Sequence, residues 1–261
     1  MTLTIATLLP SLQNTNGDAE NAAVLAQRAT WAGLDARVVA VESRDDLPDH
    51  VDAVVIGSGT DAALEAARTR LLELHDELRR WGTEGVPILA VGTGWELLSW
   101  GIELPDGTNI EGLGILPGRA VPHREGRITG DLVVAERGSR ELLVGFENHA
   151  RAYVGAEGSP LGRVRSGQGN AQGSGQEGVV MGEVIGTHLH GPVLAKNPVL
   201  ADRMLRAMAE RAGLDYSPGE QTLVVDGYAD DARRAHLAAA GVDTESVVAS
   251  SVVAPSSANE A

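Results

Sequence analysis

The sequence predicts an α/β fold in three layers, a mostly parallel sheet flanked by helices, with antiparallel strands added to it. Two patterns and a size carry this expectation. Short β-branched runs alternate with helix-forming stretches over the first hundred residues, the order of β-α-β units. From Gly101 to Val180 the texture changes to glycine-rich runs and turns, the pattern of antiparallel pairs. The 261 residues, 43% of them hydrophobic, are enough for a substantial core.

The elements follow in order. Leu3–Leu8 reads as a first core strand, followed by the polar turn Gln13–Asp18. It has no basic flank and runs into Pro10, which argues against a signal peptide or a membrane span. A helix is expected over Ala19–Trp31, with Gly33 as its stop. Arg37–Val41 and Ala53–Ile56 are strands, the second ending in Gly57-Ser58-Gly59. One helix is expected over Asp61–Trp81, and Val86–Val91 is the next strand. Leu132–Val134 and Arg163–Arg165 suggest the antiparallel additions. Val184–Gly191 is a strand running into a loop, and a helix follows at Pro198–Ala212. Residues 1–213 read as the domain. Residues 214–261 read as an extension with one amphipathic helix, Tyr228–Ala240, and a disordered last dozen residues.

Composition narrows the function classes. The formal net charge of −15 argues against nonspecific binding to nucleic acid or to an anionic membrane. Aromatic residues make up 3%, which argues against a base-stacking platform. With no cysteine there are no disulfides, thiolate metal sites or cysteine chemistry. A cytoplasmic location is expected.

The most telling motif is the run Ile88–Leu98, a buried strand, a sharp glycine turn and a helix start. An α/β enzyme presents its nucleophile at such an elbow. Here the central position holds Gly92. Ligands of open α/β sheets sit at the carboxyl ends of the strands. Three loops are placed to meet there: Gly57–Thr60, Gly92–Trp95 and His188–Gly191. The first offers backbone N–H groups for an oxyanion, and the third supplies His190 as a general base. Each signal alone is weak, since glycine turns are common and a lone histidine near a strand end is more often structural. A dinucleotide fingerprint starting at Gly92 lacks its third glycine, where Leu97 stands. His188 and His190 alternate along a strand and face opposite sides, so no metal site is expected.

Taken together these blocks resemble the type 1 glutamine amidotransferases of the cobyric acid synthase-like branch, and most of all the GatD glutaminase subunits of lipid II isoglutaminyl synthase. The resemblance runs from Thr2 to about Gly213. It rests on Leu9-Pro10, Asn14–Asn21, Leu113-Gly114, Gly145-Phe146-Glu147-Asn148-His149, Thr187–Gly191 and Lys196-Asn197-Pro198. It implies a glutaminase in which a cysteine attacks the glutamine side-chain amide, a histidine shuttles the proton and backbone amides hold the oxyanion. It also implies a MurT-like Mur ligase partner that binds the ATP and amidates the D-glutamate of the peptidoglycan stem, with no cofactor in this subunit. Carried over, His190 matches the catalytic histidine and Gly57 and Gly59 the oxyanion-side loop. Arg127 matches a residue of glutamine binding, Gly92 the cysteine and Glu96 a glutamine.

The departures matter as much as the matches. Gly92 has no side chain and cannot attack a carbonyl. Loss of a nucleophile leaves on the order of 10³–10⁴-fold of catalysis from binding and oxyanion stabilisation. Glycine suits the strained elbow backbone, so the fold tolerates the change. Neither Thr93 nor Ser58, in the opposite loop, is expected to align with His190. Glu96 reads as a first-turn carboxylate favoured by the helix dipole, or as a charge opposing an oxyanion. The expectation is therefore an amidotransferase subunit whose own glutaminase is lost. The alternatives are an active enzyme with an unconventional nucleophile and a glutamine-binding regulatory module.

Overall fold

The computed structural model describes residues 1–242. Its centre is a six-stranded sheet in the order Val179–Met181, Val184–Thr187, Ile88–Val91, Ala53–Ile56, Leu3–Leu8, Ala36–Val41. All neighbours are parallel except the edge strand Val179–Met181, which pairs antiparallel with Val184–Thr187. Alternation along the strands divides the core in two. Ile5, Val55, Leu89 and Val91 enter one apolar cluster, with Leu25 and Ala29 of the helix Asn21–Trp31 and Met204 and Leu205 of the helix Pro198–Arg211. Leu8, Val54, Ile56 and Ile88 enter the other, with Leu71, Leu74, Leu78 and Trp81. A sheet buried on both faces needs apolar residues at successive positions, and these strands have them.

Two four-stranded sheets are added. One runs Arg151–Val154, Arg119–Pro122, Gly101–Glu103, Asn109–Glu111, and the other Gln176–Glu177, Gly162–Ser166, Ile128–Glu136, Leu142–His149. The predicted three-layer α/β class with added antiparallel strands is the observed architecture.

Three elements differ from the sequence expectation. The stretch Asp61–Trp81 is a short 3-10 turn, Asp61–Ala63, and two helices, Leu64–Glu73 and His75–Thr83. The break falls at Leu74, whose backbone leaves the helical region at φ −104°, ψ 9°. Leu71, Leu74 and Leu78 are all fully buried, and the break lets all three face the core. The segment Ala19–Trp31 opens with a 3-10 turn, Asp18–Glu20, before the helix starts at Asn21. The last helix is longer than expected, Glu220–Ala239. Its first turns carry Leu223, Val224 and Tyr228 exposed, which hides the amphipathic pattern there. Leu237 packs on Val133, Leu142 and Val144, and Arg28 holds Asp226 at 2.5 Å and Asp202 at 2.6 Å. The last dozen residues lie outside the described part. No helix among the described residues is long and apolar enough to cross a membrane.

Candidate active site

The elbow forms where the sequence places it. The strand Ile88–Val91 ends at Gly92, with φ +55° and ψ −122°, and the helix Thr93–Leu98 follows at once. Only glycine adopts that backbone without strain. Two bonds hold the turn: Gly92 N–H donates to Thr187 O at 2.9 Å, and Glu96 N–H donates to Gly92 O at 3.0 Å. The first ties the elbow to the strand end that carries His190. Gly94 is required by close approach, because a Cβ there would lie 2.3 Å from Gly57 O.

His190 is fully buried beside this turn. Its Nδ1–H donates to Asp18 Oδ2 at 2.8 Å, and the Asn16 amide packs 3.1 Å from the same nitrogen. Asp18 is itself fixed by the Gly191 N–H on its other oxygen, at 3.1 Å. The Nε2 atom has no partner. A Cβ built on Gly92 would lie 2.8 Å from His190 Cε1, so the imidazole edge is turned to the elbow. This is a buried histidine with its orienting carboxylate in place and a second nitrogen without a hydrogen bond.

A cavity of about 400 Å³ opens in front of the elbow, lined among others by Gly92, Thr93, Gly59, Asn16, Asn148 and Arg127. Arg127 is exposed and donates to Asn148 O and Oδ1 at 3.3 and 3.0 Å. Gly92, His190, the Gly57–Gly59 loop and Arg127 are therefore neighbours, although they come from four separate stretches of chain. The Gly59 N–H donates to Thr93 Oγ1 at 2.6 Å, and that hydroxyl donates to Gln13 Oε1 at 2.9 Å. Ser58 reaches across to the elbow. It sits in the facing loop, yet its Oγ accepts from Thr93 N–H at 3.3 Å, at the elbow itself.

Glu96 is neither an exposed helix-start carboxylate nor a free charge. It is 2% exposed and accepts from Arg151 Nε at 2.8 Å, while Arg151 Nη2 donates to Asp61 at 2.7 Å. Burial lifts the Glu96 carboxyl above its ordinary range, against the pull of Arg151. Arg151 was not foreseen, because nothing in its local sequence marks it. The same holds for Asp18, which lies within a block of the resemblance but gained a role only through contact with His190.

Behind the site His188 faces away from His190, as the strand alternation predicts. It stacks on His149 at 4.0 Å and lies 4.5 Å from Trp95. Neither ring nitrogen has a hydrogen-bond partner, and burial, with His149 adding to it, holds its pKa well below the usual histidine value. Glu177 Oε2 lies 3.5 Å away, and burial raises its carboxyl above the ordinary range, against the hydrogen bonds it accepts from the His188 N–H and the Thr187 hydroxyl.

Comparison with known proteins follows the same lines. Residues 5–198 match the model of the CobB/CobQ-like glutamine amidotransferase domain. The chain is 34% identical over 220 residues to the GatD subunit of lipid II isoglutaminyl synthase (glutamine-hydrolyzing) of Staphylococcus aureus, covering 84% of this chain and 89% of that one. It is 31% identical over 216 residues to the Streptococcus pneumoniae subunit of the same name, covering 82% and 83%. In fold it is similar to PurLQS from Thermotoga maritima, with a TM-score of 0.53 at 16% identity, over 81% of this chain and 97% of that one. The family match takes in the elbow, the Gly57–Gly59 loop and His190 together, and this chain belongs to the CobB/CobQ-like glutamine amidotransferase family.

Proposed function

We propose that the chain is a GatD-type subunit of a lipid II isoglutaminyl synthase-type complex that has given up its own glutamine hydrolysis. It keeps the amidotransferase fold, docks on a MurT-like Mur ligase subunit in the cytoplasm and holds that ligase in its working shape. The ligase binds ATP and activates the α-carboxylate of the stem D-glutamate, and free ammonia completes the amide. The identity to GatD subunits over most of both chains supports the assignment to the complex. The observation that carries the loss is Gly92: an elbow at φ +55° with no side chain, next to a histidine still oriented by Asp18.

The experiment is amidation by the chain co-expressed with a MurT-like ligase, supplied with ATP and either ammonium or glutamine. Ammonium should support D-isoglutamine formation and glutamine should not. A chain that never co-purifies with such a ligase removes the assignment to the complex. A second reading has its own support. Arg127 and Asn148 line a cavity large enough for an amino acid, so the chain retains a pocket for glutamine bound without turnover. Calorimetry with glutamine distinguishes the two, since only a sensing module needs binding in the working range.

A further inference from the structure

Gly92 and Ser58 face each other at the elbow, and the geometry couples the two positions. A Cβ built on Gly92 would fall 2.5 Å from Ser58 Oγ and 2.9 Å from Ser58 Cβ, with His190 Cε1 at 2.8 Å on its other side. Non-bonded atoms do not approach so closely, so any side chain at position 92 is incompatible with Ser58 where it stands. The serine has little room to retreat. Its carbonyl accepts from Thr15 N–H at 2.8 Å, and the residue is 5% exposed. On either side the loop is pressed against backbone. A Cβ on Gly57 would lie 2.1 Å from Gln13 O, and one on Gly59 would lie 2.4 Å from Leu12 O.

The hydroxyl also takes a functional amide. In a nucleophile elbow the N–H of the residue after the nucleophile helps hold the oxyanion. That residue is Thr93, and its N–H donates to Ser58 Oγ. The Gly59 N–H, the facing donor, is taken by Thr93 Oγ1. Both amides that an acyl oxygen would need are already satisfied. His190 Nε2 has no bond to the serine, so the hydroxyl is not poised for attack.

We propose that Ser58 fills the vacated place of the nucleophile and caps the oxyanion amide of Thr93, so that two residues together close the pocket to acyl transfer. The proposal rests on the reading of the chain as a glutamine amidotransferase subunit without its own nucleophile. It follows that Gly92→Cys alone does not restore a working site, and that Gly92→Cys with Ser58→Gly does. In the paired variant the introduced thiol sulfur attacks the glutamine side-chain carbonyl carbon while His190 Nε2 takes the thiol proton. The C–N bond then breaks, the proton leaves with ammonia, and water hydrolyses the glutamyl thioester to glutamate and free thiol.

The test is glutamate and ammonia release from glutamine by wild type, Ser58→Ala, Gly92→Cys and the paired variant. Alkylation of the introduced thiol by 6-diazo-5-oxo-L-norleucine is followed by mass spectrometry. The paired variant should hydrolyse glutamine and alkylate at least about tenfold faster than Gly92→Cys alone, the gain expected of one freed oxyanion donor. A thermal cycle does not depend on activity. Gly92→Ala should lower Tm by at least about 3 °C more with Ser58 present than in Ser58→Gly, since the backbone strain and the contact with His190 Cε1 are common to both and only the clash with Ser58 differs. If both cysteine variants are silent, the cycle decides. Equal losses of Tm overturn the proposal, and so does a Gly92→Cys enzyme as fast as the pair, while the reading of the wild type stands. Wild-type turnover that Ser58→Ala abolishes makes the serine the attacking group and overturns proposal and reading alike.

Discussion

Asp18 and His190 lie 172 positions apart in the chain and 2.8 Å apart in the fold. The contact exists because the turn after the first strand and the loop after Val184–Thr187 meet at the same end of the parallel sheet. Asp18 satisfies two groups, the imidazole Nδ1–H and the Gly191 N–H, and is fully buried while doing so.

Asp18→Ala should therefore lower folding stability by about 1–3 kcal/mol, the cost of leaving buried donors without an acceptor. Urea unfolding measures this. Nitrogen-15 spectra of histidine-labelled protein should show Nδ1 protonated in wild type and a mixture of tautomers in the variant. An unchanged tautomer would mean that Asp18 does not orient the ring.

Arg151 and Glu96 form a buried ion pair with Asp61 at its outer edge. Removing one member strands the other, so Arg151→Met should cost about 3–5 kcal/mol. Arg151→Met combined with Glu96→Gln should recover most of that loss, because no buried charge is then left uncompensated and the half-exposed Asp61 keeps its contact with water. Denaturant midpoints of the three variants check the cycle, and additive losses would contradict the pairing.

His188 sets a pH dependence. Its pKa is lowered in the fold from the ordinary value of 6.5, so the unfolded chain binds the proton more tightly than the native one. The stability this gives is present above that value and is lost as pH falls below it toward the folded pKa. Thermal melts between about pH 8 and pH 5 should show a falling Tm. His188→Phe, which keeps an aromatic ring between His149 and Trp95, should flatten the contribution from this site. Parallel curves for the two proteins would show that another group controls the slope.

Arg127 lines the cavity in front of the elbow and carries no carboxylate partner among the described residues. If glutamine binds, Arg127→Ala should weaken it at least about tenfold, the loss expected of a charge-assisted hydrogen bond. Calorimetry reads it directly, and unchanged affinity would place the amino acid elsewhere.

Much of this was legible in one dimension. The β-branched runs at Leu3–Leu8, Ala53–Ile56 and Ile88–Val91 became central strands because each is buried on both faces, which leaves an unmistakable apolar run. The elbow was legible because Gly92 and Gly94 are demanded by backbone geometry. The break at Leu74 was not, since a leucine suits a helix interior and only the core decides otherwise. Arg151, Asp18 and Ser58 were assigned no role because each acts through a neighbour at least 35 positions away. Spacing along the chain carries no trace of such contacts.

The central claim is that this chain brings no nucleophile of its own. The most direct measurement is release of labelled ammonia from amide-¹⁵N glutamine by the wild-type chain, alone and with a MurT-like ligase, beside His190→Ala. The account predicts that wild type and His190→Ala are equally silent, with or without the ligase. Turnover by wild type that disappears in His190→Ala would contradict it, for the histidine would then be serving an attacking group that Gly92 cannot supply.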